Sequence, residues 1–339
     1  MTLSPPASGR LADAYDLVIF DLDGVIYLSD SAVAGAVDAV KRLHDEGRAV
    51  AYATNNASRR ATAVADLLTG LGVPAAADEV LTSAAETARR LADRLEPGAR
   101  VLVVGAEALR QEVAERGLTP VTSADDKPVA VVQGYGREVG WVILAEAALA
   151  VRAGALWIAT NTDRTLPSPR GPLPGNGSLV AVLRTALDRE PDEVIGKPEP
   201  VLFEEAVKKD SARRPVVVGD RLDTDIEGAV RAGMDSLLVL TGVSQPRDLV
   251  AAPEHQRPTY VAKDLAGLFD DVETLAVTGE GTGWRVTDGR LEGHGDPIAA
   301  LRTIAAAAWS GTDVTHLEGA GDEAASALRT LGLGSVSRS

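Results

Sequence analysis

Apolar residues in the first part of the chain come in short runs that alternate with amphipathic segments. Residues 17–20 form a run of large apolar side chains that ends abruptly at an aspartate, which is typical of a buried strand. Val37, Val40 and Leu43 then recur at helical spacing, and residues 49–54 form a second apolar run. This succession predicts a strand, a helix and a second strand parallel to the first.

Three later apolar runs continue the same alternation. They lie at residues 193–195, 215–218 and 236–240, and helix-like segments separate them. Strands that alternate with helices along a chain are typical of an α/β fold. The pattern therefore predicts a core built on a doubly wound, Rossmann-like parallel sheet.

A long insertion interrupts this core. Between residues 54 and 197 lie about 140 residues, far more than one crossover connection needs. The insertion has its own strand-like runs, at residues 101–104, 129–132 and 156–159, with helical segments between them. We therefore predict a smaller α/β cap domain at 84–189, and a core formed by residues 1–83 and 190–270.

The last part of the chain changes character. A glycine-rich segment at 279–283 precedes a hairpin-like stretch at 284–293 and two alanine-rich helices. Near the end, residues 329–334 have a glycine spacing like that of acyl-coenzyme A binders in acetyltransferase-like folds. Because the appendage is too short for a whole acetyltransferase, we expect a small α+β module at 275–339 that is partial and non-catalytic. Its role would be to pack on the core or to support assembly.

Composition narrows the function classes. The 339 residues carry a net charge of −15, which argues against nucleic acid or anionic membrane as a partner. The chain has no cysteine, so a disulfide framework and a thiol nucleophile are excluded. Its first sixteen residues do not resemble a signal peptide. We expect a cytoplasmic protein.

Two carboxylates follow the first predicted strand. Asp21 and Asp23 are at positions i and i+2, so in an extended chain both side chains face the same side. A divalent cation such as Mg²⁺ would relieve the repulsion between them. An ordinary acidic turn exposed to solvent is the alternative explanation.

Three further polar signals fall at the ends of predicted core strands. Ligands of open parallel sheets bind at the carboxyl ends of the strands, so we expect all four signals to lie in one crevice. Hydroxyl, amide and ammonium groups among them can bind a phosphate, and the acidic loop after residue 219 can complete a metal site. The residues of these signals are Thr54, Asn55, Asn56, Lys197, Asp220 and Asp225.

The four motifs, DLDGV, TNN, GKP and GDRLDTDI, resemble those of the haloacid dehalogenase superfamily of phosphatases. An α/β cap between the second and third motifs is similar to that of the subclass that includes glycerol-3-phosphate, phosphoglycolate and pyridoxal-phosphate phosphatases. The segments ATNTD at 159–163 and PGNGS at 174–178 are also similar to the end of the cap in that subclass.

The resemblance implies a role for each motif residue. Asp21 would be the nucleophile that forms an aspartyl-phosphate, and Asp23 would be the general acid and base. Mg²⁺ would be held by Asp21, the backbone carbonyl of Asp23 and Asp220, with Asp225 ordering its water shell. The phosphoryl group would be bound by Thr54, Asn55, Asn56 and Lys197.

The substrate expected from the resemblance is a small phosphorylated metabolite, with glycerol 3-phosphate as the first choice. Phosphoglycolate, pyridoxal phosphate and other small phosphate esters are alternatives. A phospho-accepting signalling domain and a binding protein with a degenerate site are the competing classes. Asn161, Asp163 and Arg170 are candidates to lie near the opening of the site, and the protein could assemble as a homo-oligomer.

Overall fold

The chain folds into two compact units. The computed structural model describes residues 8–166, 168, 170–278 and 282–334. The first unit combines residues 1–50 with 207–339, and the second contains residues 51–206. Most of the predicted glycine-rich segment, residues 279–281, lies outside the described part. The second unit is thus inserted between two segments of the first unit.

Most strands are short, and we number them in chain order. They are β1 (Leu17–Phe20), β2 (Tyr27–Leu28), β3 (Ser31–Ala32), β4 (Ala49–Thr54), β5 (Val80–Thr82), β6 (Arg100–Val104), β7 (Thr119–Val121), β8 (Ala130–Gln133), β9 (Leu156–Ala159), β10 (Thr165–Leu166), β11 (Leu173–Pro174), β12 (Glu193–Val194), β13 (Pro215–Gly219), β14 (Asp235–Val239), β15 (Tyr260–Ala262), β16 (Trp284–Thr287), β17 (Arg290–Gly293) and β18 (Glu318–Gly319).

The helices are numbered in the same way. They are α1 (Leu11–Ala14), α2 (Ala36–Asp45), α3 (Ala61–Gly70), α4 (Ser83–Arg94), α5 (Glu107–Glu115), α6 (Trp141–Arg152), α7 (Asn176–Leu187), α8 (Val201–Asp210), α9 (Glu227–Ala232), α10 (Pro246–Val250), α11 (Val272–Leu275), α12 (Pro297–Trp309) and α13 (Asp322–Leu331). Short 3₁₀ turns lie at Ala77–Glu79, Ala124–Asp126, Glu254–Gln256 and Leu265–Phe269, and a π-helical turn at Leu222–Ile226.

In the first unit, four parallel strands lie side by side in the order β15, β14, β13, β1. The register places Leu17 opposite Pro215 and Phe20 opposite Val218. Every residue of β1 is fully buried, so both faces of the strand are covered. Continuous apolar strands of this kind belong to parallel sheets with helices on both faces.

The second unit has a five-stranded parallel sheet in the order β12, β9, β8, β6, β7. Successive residues of its central strands enter different hydrophobic clusters: Val101 and Val103 join one, and Leu102 and Val104 join the other. Because side chains alternate across a strand, the two clusters lie on opposite faces of the sheet. Helices α4 and α5 cover the first face, and α6 and α7 cover the second.

One predicted strand forms but joins a different sheet. Residues 193–195 were expected in the core sheet, whereas Glu193 and Val194 pair with Ile158 and Ala159 of β9 in the second unit. In the same unit β5 pairs in parallel with β4. The second unit runs from residue 51 to 206, beyond the limits predicted for the cap. The four domain boundaries drawn from the sequence stay predictions.

The C-terminal module, residues 282–333, is an α+β structure within the first unit. Strands β16 and β17 form an antiparallel hairpin, and β18 adds to it in parallel. The module packs on the core: Arg302 donates to the carbonyl of Val261 at 2.7 Å, and Trp309 Nε1 donates to that of Leu249 at 3.2 Å. This packing is one of the two roles expected for the module.

The fold class predicted from the sequence is confirmed: parallel sheets flanked by helices, with a small α+β appendage. Within the described residues, no helix combines the length and the apolar character needed to cross a lipid bilayer.

Candidate active site

Asp21 follows β1 at the carboxyl end of the first unit's sheet. Its N–H donates to the carbonyl of Val218 at 2.9 Å, which extends the pairing of β1 with β13 by one residue. The chain then turns tightly, because Ile26 and Tyr27 both donate to the carbonyl of Leu22. Asp21 is buried, with 8% of its surface exposed. Asp23, inside the turn, is half-buried.

The second acidic loop follows the neighbouring strand β13. Asp220 comes directly after the strand and is fully buried. The π-helical turn then brings Asp225 back toward the strand end, where its Oδ2 accepts the N–H of Arg221 at 3.1 Å. A Cβ at Gly219 would lie 2.2 Å from the Cβ of Asp225. Glycine at this position is therefore required for the approach of Asp225.

The two acidic loops meet at Gly24. Its φ of +93° lies in the left-handed region, where a side chain is strained. A Cβ at Gly24 would also lie 2.6 Å from Oδ2 of Asp220. The glycine in the DLDGV motif thus lets the turn after Asp23 pack its backbone against the carboxylate of Asp220.

The carboxylates of Asp21, Asp220 and Asp225 form one buried group. Each offers an oxygen, and these oxygens lie within 4.8 Å of one another. Three anions this close repel strongly where water is excluded, and a divalent cation relieves that repulsion. Carboxylate oxygens are the donors that Mg²⁺ prefers. The group therefore fits a magnesium ion, and the side chain of Asp23 is not part of it.

The second unit contains the other predicted residues, and three of them lie at the end of β4. Thr54 is buried, with 2% of its surface exposed, and its Oγ1 accepts the N–H of Asn56 at 3.1 Å. The hydroxyl oxygen thus accepts from the backbone, while its own proton can be donated to an acceptor. The side chain of Asn56 accepts from the N–H and the hydroxyl of Ser58, at 2.9 and 2.7 Å. Asn56 thus stabilises the turn before α3.

Asn55 holds the loop that carries Lys197. Its Oδ1 accepts the N–H of Lys197 at 2.7 Å, and its Nδ2 donates to the carbonyl of Lys197 at 3.0 Å. The Lys197 ammonium donates to the carbonyl of Ala53 at 3.0 Å. Lys197 is 3% exposed, so this is a buried cation whose backbone is fixed by one amide side chain.

A network of polar side chains continues from Asn55 to the end of β9. Asn55 Nδ2 also donates to Asp163 at 3.0 Å, and Asn161 Nδ2 donates to the carbonyl of Asn55 at 2.7 Å. Asn176 donates in turn to the carbonyl of Asn161 at 2.7 Å. Two of the three residues predicted near the opening, Asn161 and Asp163, therefore contact the TNN motif. Arg170 is exposed, and its backbone N–H donates to Ser168.

Sequence reasoning missed two members of this network. Asn176 is 1% exposed and Ser83 is fully buried, and the Ser83 hydroxyl donates to the carbonyl of Asn55 at 2.7 Å. Asn176 belongs to the PGNGS segment, whose resemblance to the end of the cap in related phosphatases was the available signal. Nothing in the local sequence distinguishes Ser83 from other residues at helix starts.

Comparisons with known proteins bear on this arrangement. Residues 18–119 match the family described as haloacid dehalogenase-like hydrolase, and residues 194–268 match a second family of the same kind. Over 312 residues the chain is 47% identical to D-glycerol 3-phosphate phosphatase of Mycobacterium tuberculosis. The aligned region covers 88% of this chain and 87% of that protein. The chain belongs to the haloacid dehalogenase-like hydrolases. This confirms the resemblance drawn from the four motifs and the predicted enzyme class, a phosphatase.

Two further proteins are similar to this chain over a smaller part of it. A 5′-nucleotidase of Bacillus subtilis is 36% identical, with 74% of this chain and 96% of that protein covered. A 4-nitrophenylphosphatase from Thermotoga maritima aligns with a TM-score of 0.72 at 32% identity, over 76% of this chain and 98% of its own.

One solved structure is similar over nearly the whole chain. The crystal structure of glycerol phosphate phosphatase from Mycobacterium tuberculosis in complex with magnesium aligns with a TM-score of 0.90 at 46% identity. It covers 96% of this chain and 99% of its own. Residues 271–333 match the family described as GCN5-related N-acetyltransferase-like domain.

Proposed function

We propose that this chain is a Mg²⁺-dependent phosphatase that hydrolyses glycerol 3-phosphate to glycerol and phosphate. The buried group of Asp21, Asp220 and Asp225 carries the reaction class, because it combines a candidate nucleophile with the donors of a magnesium site. The substrate rests on the 47% identity to D-glycerol 3-phosphate phosphatase over 88% of the chain.

In the proposed reaction Asp21 acts as the nucleophile, and Asp23 acts first as the acid and then as the base. An oxygen of Asp21 attacks phosphorus, the bond from phosphorus to the ester oxygen breaks, and Asp23 gives its proton to the leaving alcohol. Asp23 then takes a proton from water, whose oxygen attacks phosphorus. The bond to Asp21 breaks and inorganic phosphate leaves.

The residues that would hold Mg²⁺ are Asp21, Asp220 and the backbone carbonyl of Asp23. Asp225, whose carboxylate belongs to the same buried group, would order the water around the ion. The bound cation would neutralise charge on the transferring phosphoryl group.

Binding of the phosphoryl group is proposed for Thr54 and Lys197, with Asn55 and Asn56 beside them. Thr54 contributes a hydroxyl whose proton can be donated, and Lys197 contributes a positive charge. The contacts of Asn55 support a more specific role. Its side chain fixes Lys197 through two hydrogen bonds, so we propose that it acts on phosphate mainly by positioning this lysine.

A panel of small phosphate esters tests the proposal. Phosphate release is measured for glycerol 3-phosphate, phosphoglycolate, pyridoxal phosphate, 4-nitrophenyl phosphate and a nucleoside 5′-monophosphate, and the esters are ranked by kcat/KM. The highest value is expected for glycerol 3-phosphate. A higher value for a nucleotide would favour the activity of the Bacillus subtilis relative, and no phosphate release from any ester would overturn the reaction class.

Several further expectations remain proposals. We propose a cytoplasmic enzyme that takes a small phosphorylated metabolite, with neither nucleic acid nor membrane as a partner. Assembly into a homo-oligomer stays a prediction, and size-exclusion chromatography with light scattering measures it.

A further inference from the structure

Four residues that follow β14 contact both acidic loops of the first unit. We call residues 241–244 the clamp segment. The Thr241 hydroxyl donates to the carbonyl of Gly24 at 2.6 Å, which fixes the turn after Asp23. The N–H of Val243 donates to Oδ2 of Asp220 at 2.6 Å. One segment thus holds the backbone of the first loop and a carboxylate oxygen of the second.

Ser244 holds the backbone of the second loop on both sides of Arg221. Its N–H donates to the carbonyl of Asp220 at 3.1 Å, and its hydroxyl oxygen accepts the N–H of Leu222 at 3.0 Å. Ser244 is buried, with 7% of its surface exposed. Asp220 is therefore held by its carboxylate and by its main chain.

Gly242 lets the carboxylate lie directly on the clamp segment. A Cβ at this position would lie 2.0 Å from Oδ2 of Asp220, which is far inside van der Waals contact. The residue is not in the left-handed region, so close approach rather than backbone conformation requires glycine here.

We propose that the clamp segment positions the carboxylate of Asp220 for the cation, with Thr241 and Ser244 as positioning residues. The inference rests on the proposed function, because it assigns Asp220 to the magnesium site. Hydrogen bonds from outside a metal site orient its ligands, and removing one weakens metal binding by about 10- to 100-fold. The N–H of Val243 fixes one carboxylate oxygen, which determines where the other points.

The C-terminal module supports this segment from behind. Helix α10 starts two residues after Ser244, and its fully buried Leu249 shares one hydrophobic cluster with Leu301 of the module. The same cluster contains Leu222 and Ile226, which border the acidic turn. The carbonyl of Leu249 also accepts the Trp309 hydrogen bond. The module thereby stabilises the position of α10 and, through it, the clamp segment.

Direct measurement of Mg²⁺ binding by calorimetry, without substrate, tests the positioning role. Gly242→Ala is expected to raise the Kd for Mg²⁺ at least about tenfold, which equals about 1.4 kcal/mol. Gly70→Ala is the matched control, because a Cβ there has open space around it. Circular dichroism establishes that both variants are folded. An unchanged Kd in folded Gly242→Ala would overturn the proposal.

Substitutions at Thr241 give a second test of the positioning role, because valine has nearly the same shape as threonine. Thr241→Val removes the hydroxyl and is expected to weaken Mg²⁺ binding, whereas Thr241→Ser keeps the hydroxyl and should restore it. Equal Kd values for the two variants would contradict the positioning role.

The role of the module is tested with two tryptophans. Trp309→Phe removes the hydrogen bond to α10, while Trp284→Phe removes one to the carbonyl of Asp296 within the module. A rise in the Kd for Mg²⁺ is expected only for Trp309→Phe, and equal effects of both changes would overturn the link. If the wild-type protein binds Mg²⁺ but releases no phosphate from any ester, the proposed function fails while the positioning role can still be measured.

Discussion

Replacing Asn55 with alanine removes the side chain that connects the TNN motif to the loop of Lys197. Three hydrogen bonds are lost together: two to the backbone of Lys197, at 2.7 and 3.0 Å, and one to Asp163, at 3.0 Å. Asn55 and Lys197 are both buried, so water does not readily replace the missing partner.

The loss of stability in Asn55→Ala can be estimated from the backbone groups that the Asn55 side chain no longer contacts. A buried donor or acceptor without a partner costs about 1–3 kcal/mol, and Lys197 would lose a partner for both its N–H and its carbonyl. We therefore expect Asn55→Ala to lower the free energy of unfolding by about 2–6 kcal/mol. Because the backbone that carries the Lys197 side chain is no longer fixed by Asn55, the position of its ammonium becomes less defined and kcat should fall as well.

Urea unfolding followed by circular dichroism measures the loss, and phosphate release measures the effect on turnover. Asn56→Ala is the comparison, because the side chain of Asn56 accepts from its near neighbour Ser58 in a partly exposed turn. Its expected cost is about 1 kcal/mol, as for other residues that cap a turn or helix. A loss for Asn55→Ala no larger than that for Asn56→Ala would refute the reasoning.

Three other predictions concern catalysis, metal and pH. Asp23→Asn should lower kcat by about 10²–10⁴-fold while the protein stays folded, and single-turnover kinetics would reveal whether product release masks this effect. Mg²⁺ at a hundred times its Kd should stabilise the fold by about 2.7 kcal/mol, because it relieves the repulsion among Asp21, Asp220 and Asp225. Equal melting temperatures in EDTA and in Mg²⁺ would contradict this prediction. Burial raises the pKa of the Tyr15 and Tyr52 hydroxyls, so the folded protein keeps these protons at a pH where the unfolded chain loses them. The stability that the two tyrosines contribute is therefore present below about pH 10 and is lost as the pH rises further. Unfolding at about pH 8 and about pH 11 measures that loss, which should be smaller in Tyr15→Phe.

The elements with a strong local pattern were predictable from the sequence. The runs at 17–20, 49–54 and 156–159 form strands with the predicted bounds. Each is nearly continuous in apolar residues, as expected of strands covered on both faces. The position of Asp21 directly after a strand was predictable for the same reason, because the end of β1 is visible as the end of an apolar run.

Short elements were not predictable in the same way. Strands β5 and β15 have three residues each, and β12 has two, so none is long enough to establish a periodicity. The assignment of residues 193–195 to the core sheet was wrong because partner choice depends on tertiary hydrogen bonds to Ile158 and Ala159.

The side-chain network around Asn55 could not be predicted from the sequence either. The motif predicted that Asn55 would contact phosphate, but an asparagine has the same appearance in a sequence whether its amide binds a ligand or a backbone. The contacts to Lys197, Asp163 and Asn161 link residues more than a hundred positions apart. Only the folded chain reveals that its amide is hydrogen-bonded to Asp163 and to the backbone of Lys197.

The discontinuous first unit has a consequence for synthesis on the ribosome. Strand β1 pairs with β13, so the pairing of Leu17 with Pro215 can form only after Pro215 has emerged from the ribosome. The second unit is contiguous in sequence and has all of its own strands by residue 206, so it can fold on the nascent chain first. Asp21 meets Asp220 only after that, and the clamp segment emerges later still. During translation the carboxylates of the proposed metal site are therefore among the last groups to be assembled. A truncated chain that ends before residue 220 would carry Asp21, the proposed nucleophile, without the other carboxylates of that site.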